Sequence, residues 1–233
     1  MNIIFDLDDT IYNLMEPFEK THEEMYADRT DAPCEQLFMA SRVYSDEAYY
    51  MEEKGLITRE EEFAYRIQKT YADVDIEVSM EEAKQFEKRY RYHQKHIHVP
   101  EEMVEILDMC KKEGIFIGIL TNGKSINQQK KIDALLLERW FPKEKIYISG
   151  DIGISKPDKR AFFAVQEGLL LNPEETWFVG DTFEVDVEGA KAAGWHSVWF
   201  NHRKRKAPEG EISPDVEVRS LQEMKEWIQK VAF

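Results

Sequence analysis

The stretch IIFDLDDTIYN, residues 3–13, decides how this chain is read. Ile3, Ile4 and Phe5 form an apolar run suited to a strand buried on both faces and flanked by other strands. Side chains alternate along a strand, so Asp6 and Asp8 are expected to point one way and Asp9 the other. Neighbouring carboxylates repel, and burying them without partners is costly. Acids at the end of a buried strand therefore call for a cation, a proton, or both.

With 233 residues and 42% hydrophobic composition, the chain can hold one large domain or one domain with an insertion. Its apolar runs, such as ALLL and GIFIGIL, are far too short to span a bilayer, so no membrane contact is expected. The amino terminus runs straight into the strand without a charged leader or cleavage site, and no signal peptide is expected. Cys34 and Cys110 offer no disulfide framework, which fits a reducing, cytoplasmic setting. A formal net charge of −15 argues against a nucleic-acid polymer as partner. The one basic run, HRKRK at 202–206, reads as a solvated loop. The sequence does not reveal an oligomeric state.

From residue 100 onward, helix and strand patterns alternate. A helix from about Pro100 to Glu113 precedes the strand IFIGIL, and one near Ile126 to Glu138 precedes KIYIS. A third, near Lys159 to Leu171, leads to TWFVG, and a fourth, Val185 to Ala193, leads to HSVWF. PDVEV and a terminal helix from Leu221 complete the series. This alternation predicts an α/β fold with a doubly wound parallel sheet and right-handed crossovers. Residues 14–98 differ: Phe63, Ile67 and Tyr71, then Phe86 and Tyr90, recur at helical spacing without a β-branched run. The expected organisation is a core of residues 1–13 and 99–233 with a helical insertion, a lid, at 14–98.

In such sheets, ligands bind beyond the carboxyl ends of the strands near the switch point. The first strand ends in Asp6-Leu7-Asp8 and the second in Thr121-Asn122-Gly123. GDIGISKPD follows the third, with Lys156 ahead of Pro157 placed as the first residue of a helix. The fourth ends in Gly180-Asp181, with Asp186 five residues on. Each alone has an ordinary reading as a turn, a self-satisfied hydroxyl or a surface lysine. Their joint occurrence, at strand ends and in this order, does not. His93, His96 and His98 are too scattered for a metal site and read as solvated.

Together, DLDDT (6–10), TNG (121–123), KP (156–157) and GDTFEVD (180–186) resemble the haloacid dehalogenase-like hydrolase superfamily, over nearly the whole chain. The resemblance implies a Rossmann-like core with a helical cap inserted after the first motif. GLIT (55–58), with Arg66 eight residues on, is similar to a subgroup of small nucleotide phosphatases. The implied chemistry is attack by Asp6 on a phosphate, giving an aspartyl-phosphate that water hydrolyses. Carboxylate and phosphate dianion repel by roughly 4 kcal/mol per charge pair at about 4 Å and an effective dielectric near 20, so positive charge must offset them. Mg²⁺ suits the task, with Asp6, Asp181 and the Asp8 backbone carbonyl as implied ligands. Lys156 would hold Asp6 and screen charge, while Thr121 and backbone N–H groups near Asn122 and Gly123 would cradle the phosphate. Asp186 is expected to brace Lys156 or the metal's surroundings, and Thr10 with Asp9 to shape the turn. Tyr12 and Asn13 stand where they could touch the leaving group.

Asp8, two residues from the nucleophile, suits a general acid. An alkoxide leaving group needs a proton and a halide does not, so Asp8 favours phosphoryl transfer over dehalogenation. The expected function is a Mg²⁺-dependent phosphatase of small phosphorylated metabolites, such as nucleoside monophosphates or sugar phosphates. A phosphomutase using the same residues is the alternative. A non-catalytic binding protein is disfavoured, since none of the expected groups is missing.

Overall fold

The computed structural model describes residues 1–232. β1 (Asn2–Phe5) leads into four helices, α1 (Glu16–Met25), α2 (Cys34–Glu53), α3 (Arg59–Ala72) and α4 (Met80–Gln94). There follow α5 (Glu101–Lys112), β2 (Phe116–Thr121), α6 (Ser125–Ala134) and β3 (Ile146–Ile148). A short α7 (Ser149–Ile152), α8 (Lys159–Leu169), β4 (Thr176–Gly180), α9 (Glu188–Ala192) and β5 (His196–Phe200) come next. β6 (Val216–Val218) and α10 (Leu221–Ala232) close the chain. Two compact units result: residues 1–13 with 98 onward, and Leu14–Ile97. His98, expected at the end of the insertion, falls with the sheet unit.

In the sheet unit, six parallel strands run in the order β3-β2-β1-β4-β5-β6. β1 is central, and the strand order reverses across it. Ile3, Ile4 and Phe5 are fully buried, as a strand paired on both edges and covered on both faces requires. Each such side chain stabilises the fold by about 1.5–3 kcal/mol. Beneath one face, Ile4, Leu120 and Phe178 pack with Ala161, Phe162 and Val165 of α8 and Ala190 of α9.

Three elements depart from the sequence pattern. The helix expected to reach Glu138 stops at Ala134, because Leu135 and Leu137 are both buried. Residues two apart cannot share a helix face, so Leu136 turns out to solvent at φ 51°. Pro157 is not the first residue of α8. Asp158 caps that helix instead, its carboxylate accepting the Arg160 N–H at 2.9 Å. The helix expected from Val185 begins as a π-turn over Phe183–Val187 before α9.

The helical unit is built around aromatic rings. Phe86 packs against Phe18, Tyr26, Phe63 and Tyr71 at ring separations of 5.5–6.4 Å. Thr58, last residue of the GLIT stretch, caps α3 reciprocally with Glu61, and Ser79 caps α4 with Glu82 in the same way. His93 is paired with Glu24 at 2.8 Å, and His96 donates to the Tyr92 carbonyl. No helix among the described residues is long and apolar enough to cross a membrane.

Candidate active site

β1 ends at Phe5, and Asp6 is the first residue beyond it. Its N–H still donates to the Val179 carbonyl of β4 at 2.8 Å, so the carboxylate is anchored at the switch point. Lys156 meets it there: Nζ donates to Asp6 Oδ1 at 2.8 Å and to Asp186 Oδ1 at 2.7 Å, with only 2% of the lysine side chain exposed. Asn122 fixes the lysine's backbone from both sides, donating to its carbonyl at 2.8 Å and accepting its N–H at 2.9 Å. The π-turn after β4 brings Asp186 back beneath the strand end, where Oδ2 accepts the Thr182 N–H at 3.0 Å. A side chain at Gly180 would collide with Asp186, so only glycine admits this approach.

Asp181 completes the cluster. Its carbonyl accepts from the Trp199 indole at 2.9 Å, and Arg205 lies 3.5 Å from its carboxylate. Single oxygens of Asp6, Asp181 and Asp186 lie within 4.8 Å of one another. Burial pushes the Asp6 carboxyl above its usual range; Lys156 opposes this, and Asp186 and Asp8 add to it. Asp181 is pushed well up by burial and then by Asp186, Asp9 and Asp6. Burial disfavours the charge on Lys156, but Asp186 and Asp6 outweigh it and raise its pKa. Lys156 serves two of these acids and Arg205 approaches the third only at 3.5 Å, which leaves an excess of hard oxygen donors that fits a divalent cation.

Asp8 is held by a separate set of groups. Lys131 Nζ lies 2.7 Å from both its oxygens, Gln128 donates to Oδ2 at 3.0 Å, and the Tyr12 hydroxyl donates to Oδ1 at 2.5 Å. Burial opposes ionisation here, but the Lys131 charge and these hydrogen bonds prevail and hold Asp8 below the usual range. Gln128 also donates to the Thr121 hydroxyl at 2.7 Å, linking the ends of β1 and β2. Sequence reading missed Gln128 and Lys131. Their signal was a spacing of three on α6, which puts both on its buried face within the polar run QQKK.

Two expectations need correction. The Gly123 N–H, expected to cradle phosphate, already donates to Ser149 Oγ at 2.9 Å. Gly123 adopts φ +149°, where an added side chain would also strike Gln128 at 2.9 Å. The basic run at 202–206 is not simply solvated: the Arg203 side chain is 9% exposed and grips Asp9 through Nε at 2.5 Å and Nη2 at 2.7 Å. Burial works against the Asp9 charge, but His202 at 3.4 Å and the hydrogen bonds from Arg203 hold its carboxyl well below the usual range. Asp9 itself sits at φ 60°, so the turn, not strand alternation, sets its direction. Thr10 is buried beside it, and its hydroxyl finds no partner among the described residues.

Known proteins share this architecture. Phosphoserine phosphatase of Thermus thermophilus is 35% identical over 123 residues, which is 53% of this chain and 48% of that protein. Pyrimidine 5'-nucleotidase YjjG of Escherichia coli is 36% identical over 115 residues, 49% of this chain and 50% of the other. The chain thus spans about half the length of these curated relatives. L-2-haloacid dehalogenase of Xanthobacter autotrophicus superposes with a TM-score of 0.71 over 98% of both chains at 15% identity, a likeness of fold alone. A family model described as haloacid dehalogenase-like hydrolase matches residues 1–194. A match across that much of the sequence, on this sheet, makes the chain a member of the haloacid dehalogenase-like hydrolase family.

Proposed function

We propose that the chain is a Mg²⁺-dependent phosphatase of small phosphomonoesters that works through an aspartyl-phosphate on Asp6. The observation that carries this reading is the separation of two neighbouring carboxylates into two sets of partners. Asp6 belongs with Lys156 and the acid cluster, whereas Asp8 belongs with Lys131, Gln128 and Tyr12. Chemistry that needs a nucleophile and a proton carrier side by side needs this division.

Asp6, Asp181 and the Asp8 carbonyl would hold the ion, with Asp186 directed at Lys156. When bound, Mg²⁺ supplies the positive charge that lets a carboxylate approach a phosphate. Lys156 keeps one Asp6 oxygen fixed and leaves the other to attack phosphorus. The Asp6–phosphorus bond forms as the ester oxygen leaves. A monoanionic ester brings a proton, which Asp8 passes to the departing alkoxide. Asp8 is then the carboxylate that its contact with Lys131 favours, and it takes a proton from water as the water oxygen bonds to phosphorus and the Asp6–phosphorus bond breaks, releasing phosphate and restoring the Asp6 carboxylate. The Thr121 hydroxyl turns from Gln128 to the phosphate oxygens.

The similar proteins' names, phosphoserine phosphatase and pyrimidine 5'-nucleotidase, support a small phosphomonoester as substrate. The test is phosphate release from a panel of nucleoside monophosphates, phosphosugars and phosphoamino acids, with and without Mg²⁺. Borohydride trapping of the acyl phosphate, read by mass spectrometry, should place the label on Asp6. No release from any ester, or a label on another residue, overturns the reading.

A further inference from the structure

One buried charge in the helical unit has no counter-charge among the described residues. Arg66, midway along α3, is 7% exposed, and its Nε and Nη2 have neither solvent nor a hydrogen-bond partner among the described residues. Its guanidinium carbon lies 5.3 Å from the Phe63 ring centre and 5.4 Å from that of Tyr90. Aromatic faces attract a cation, but they accept no hydrogen bond in the guanidinium plane. Arg91 shares the Phe63 ring at 5.8 Å. Burial disfavours the Arg66 charge, Arg42 and Arg91 add repulsion of like sign, and Tyr90 partly opposes them. Three arginines from α2, α3 and α4 therefore act on one another in a chain whose net charge is −15; Arg91 pairs with Glu87 at 3.5 Å, while the buried Arg66 forms no ion pair among the described residues.

The identity of the unpartnered atoms is informative. Nε–H and Nη2–H lie side by side on one edge of the guanidinium, the fork that receives two oxygens of a carboxylate or phosphate. A side chain kept only for packing would be more stable here without its charge. Along α4, Tyr90 lies one turn beyond Phe86, towards the end at which the chain leaves the unit at Ile97.

We propose that Arg66, supported by Arg42 and Arg91, is an oxyanion-binding site that takes a carboxylate or phosphate group across its Nε–Nη2 edge. Both donors are covered in this conformation, so the entering group displaces a side chain around them. The oxyanion is one free in solution.

The test uses the full chain, with sulfate and malonate as probes. Thermal unfolding is followed in chloride buffer and with each probe at matched ionic strength, for the wild type, Arg66→Met and Arg66→Lys. Arg66→Lys keeps the charge without the fork and covers the case in which Arg66→Met fails to fold. The wild-type midpoint should rise with either probe, and both variants should lose most of that rise. No rise in the wild type, or an undiminished rise in the variants, overturns the site.

Discussion

The rim of the sheet unit and the interior of the helical unit carry opposite imbalances. At the rim, five carboxylates (Asp6, Asp8, Asp9, Asp181 and Asp186) meet four cations (Lys131, Lys156, Arg203 and Arg205). In the helical unit, the buried Arg66 feels two further arginines, of which Arg91 pairs with Glu87, and itself forms no ion pair among the described residues. Burying charge is tolerable when partners surround it and costly when they do not. A surplus of acid is a demand for a cation, and a surplus of guanidinium is a demand for an oxyanion. The two regions thus point to ligands of opposite sign, and each can be unbalanced deliberately.

The largest effect is expected at the nucleophile. Asp6→Asn keeps the shape but removes the attacking oxygen, and should lower phosphate release by more than about 10³-fold with the circular dichroism spectrum unchanged. Turnover near the wild-type rate, with deamidation excluded, would falsify the assignment. Excess chelator should likewise silence the enzyme, and full activity in chelator would remove the metal from the chemistry.

Next is Lys156→Met, which leaves Asp6 and Asp186 buried without their ammonium and should cost about 3–5 kcal/mol in urea unfolding. Added Mg²⁺ should recover part of that loss, because the acid surplus has grown. A metal-independent loss would contradict the cation demand argued for the rim.

Lys131→Met acts on the other carboxylate and should slow hydrolysis of the aspartyl-phosphate by about 10²-fold, because Asp8 loses the charge that keeps it a base. Nitrophenyl phosphate, whose leaving group needs no proton, should suffer much less in single-turnover cleavage. Equal slowing of both would separate Lys131 from the proton path.

Arg203→Met should cost about 3 kcal/mol at neutral pH by stranding Asp9, whereas Arg139→Met, whose pair with Asp108 is roughly half exposed, should cost under about 1 kcal/mol. The pH dependence follows from the lowered Asp9 carboxyl. Its stabilisation is complete above the unfolded value of about 4 and fades as pH falls towards the lower folded value. The gap between wild type and Arg203→Met should therefore narrow in acid. A gap independent of pH would mean that Arg203 contributes by packing alone.

Much of the rim was legible in the sequence because strand ends are local features. An apolar run followed by acid shows Asp6 and Asp181 without any knowledge of what lies opposite them, and the order of the motifs adds Lys156. Gln128, Lys131 and Arg203 were not legible in the same way. Lys131 meets Asp8 across 123 residues, and Arg203 meets Asp9 across 194. A lysine in QQKK or an arginine in HRKRK looks like any other surface charge until folding selects which neighbour it faces. The Gly123 N–H was misread for the same reason, since Ser149 claims it from the far side of β3.

The sequence by itself determined the order of helices and strands, the buried central strand and the acids at its end, since period and polarity act over a few residues. Tertiary structure alone decided which cation answers which acid, and left Arg66 without an answering carboxylate. Charges act through space, and proximity in space is set by the packing of elements far apart in the chain.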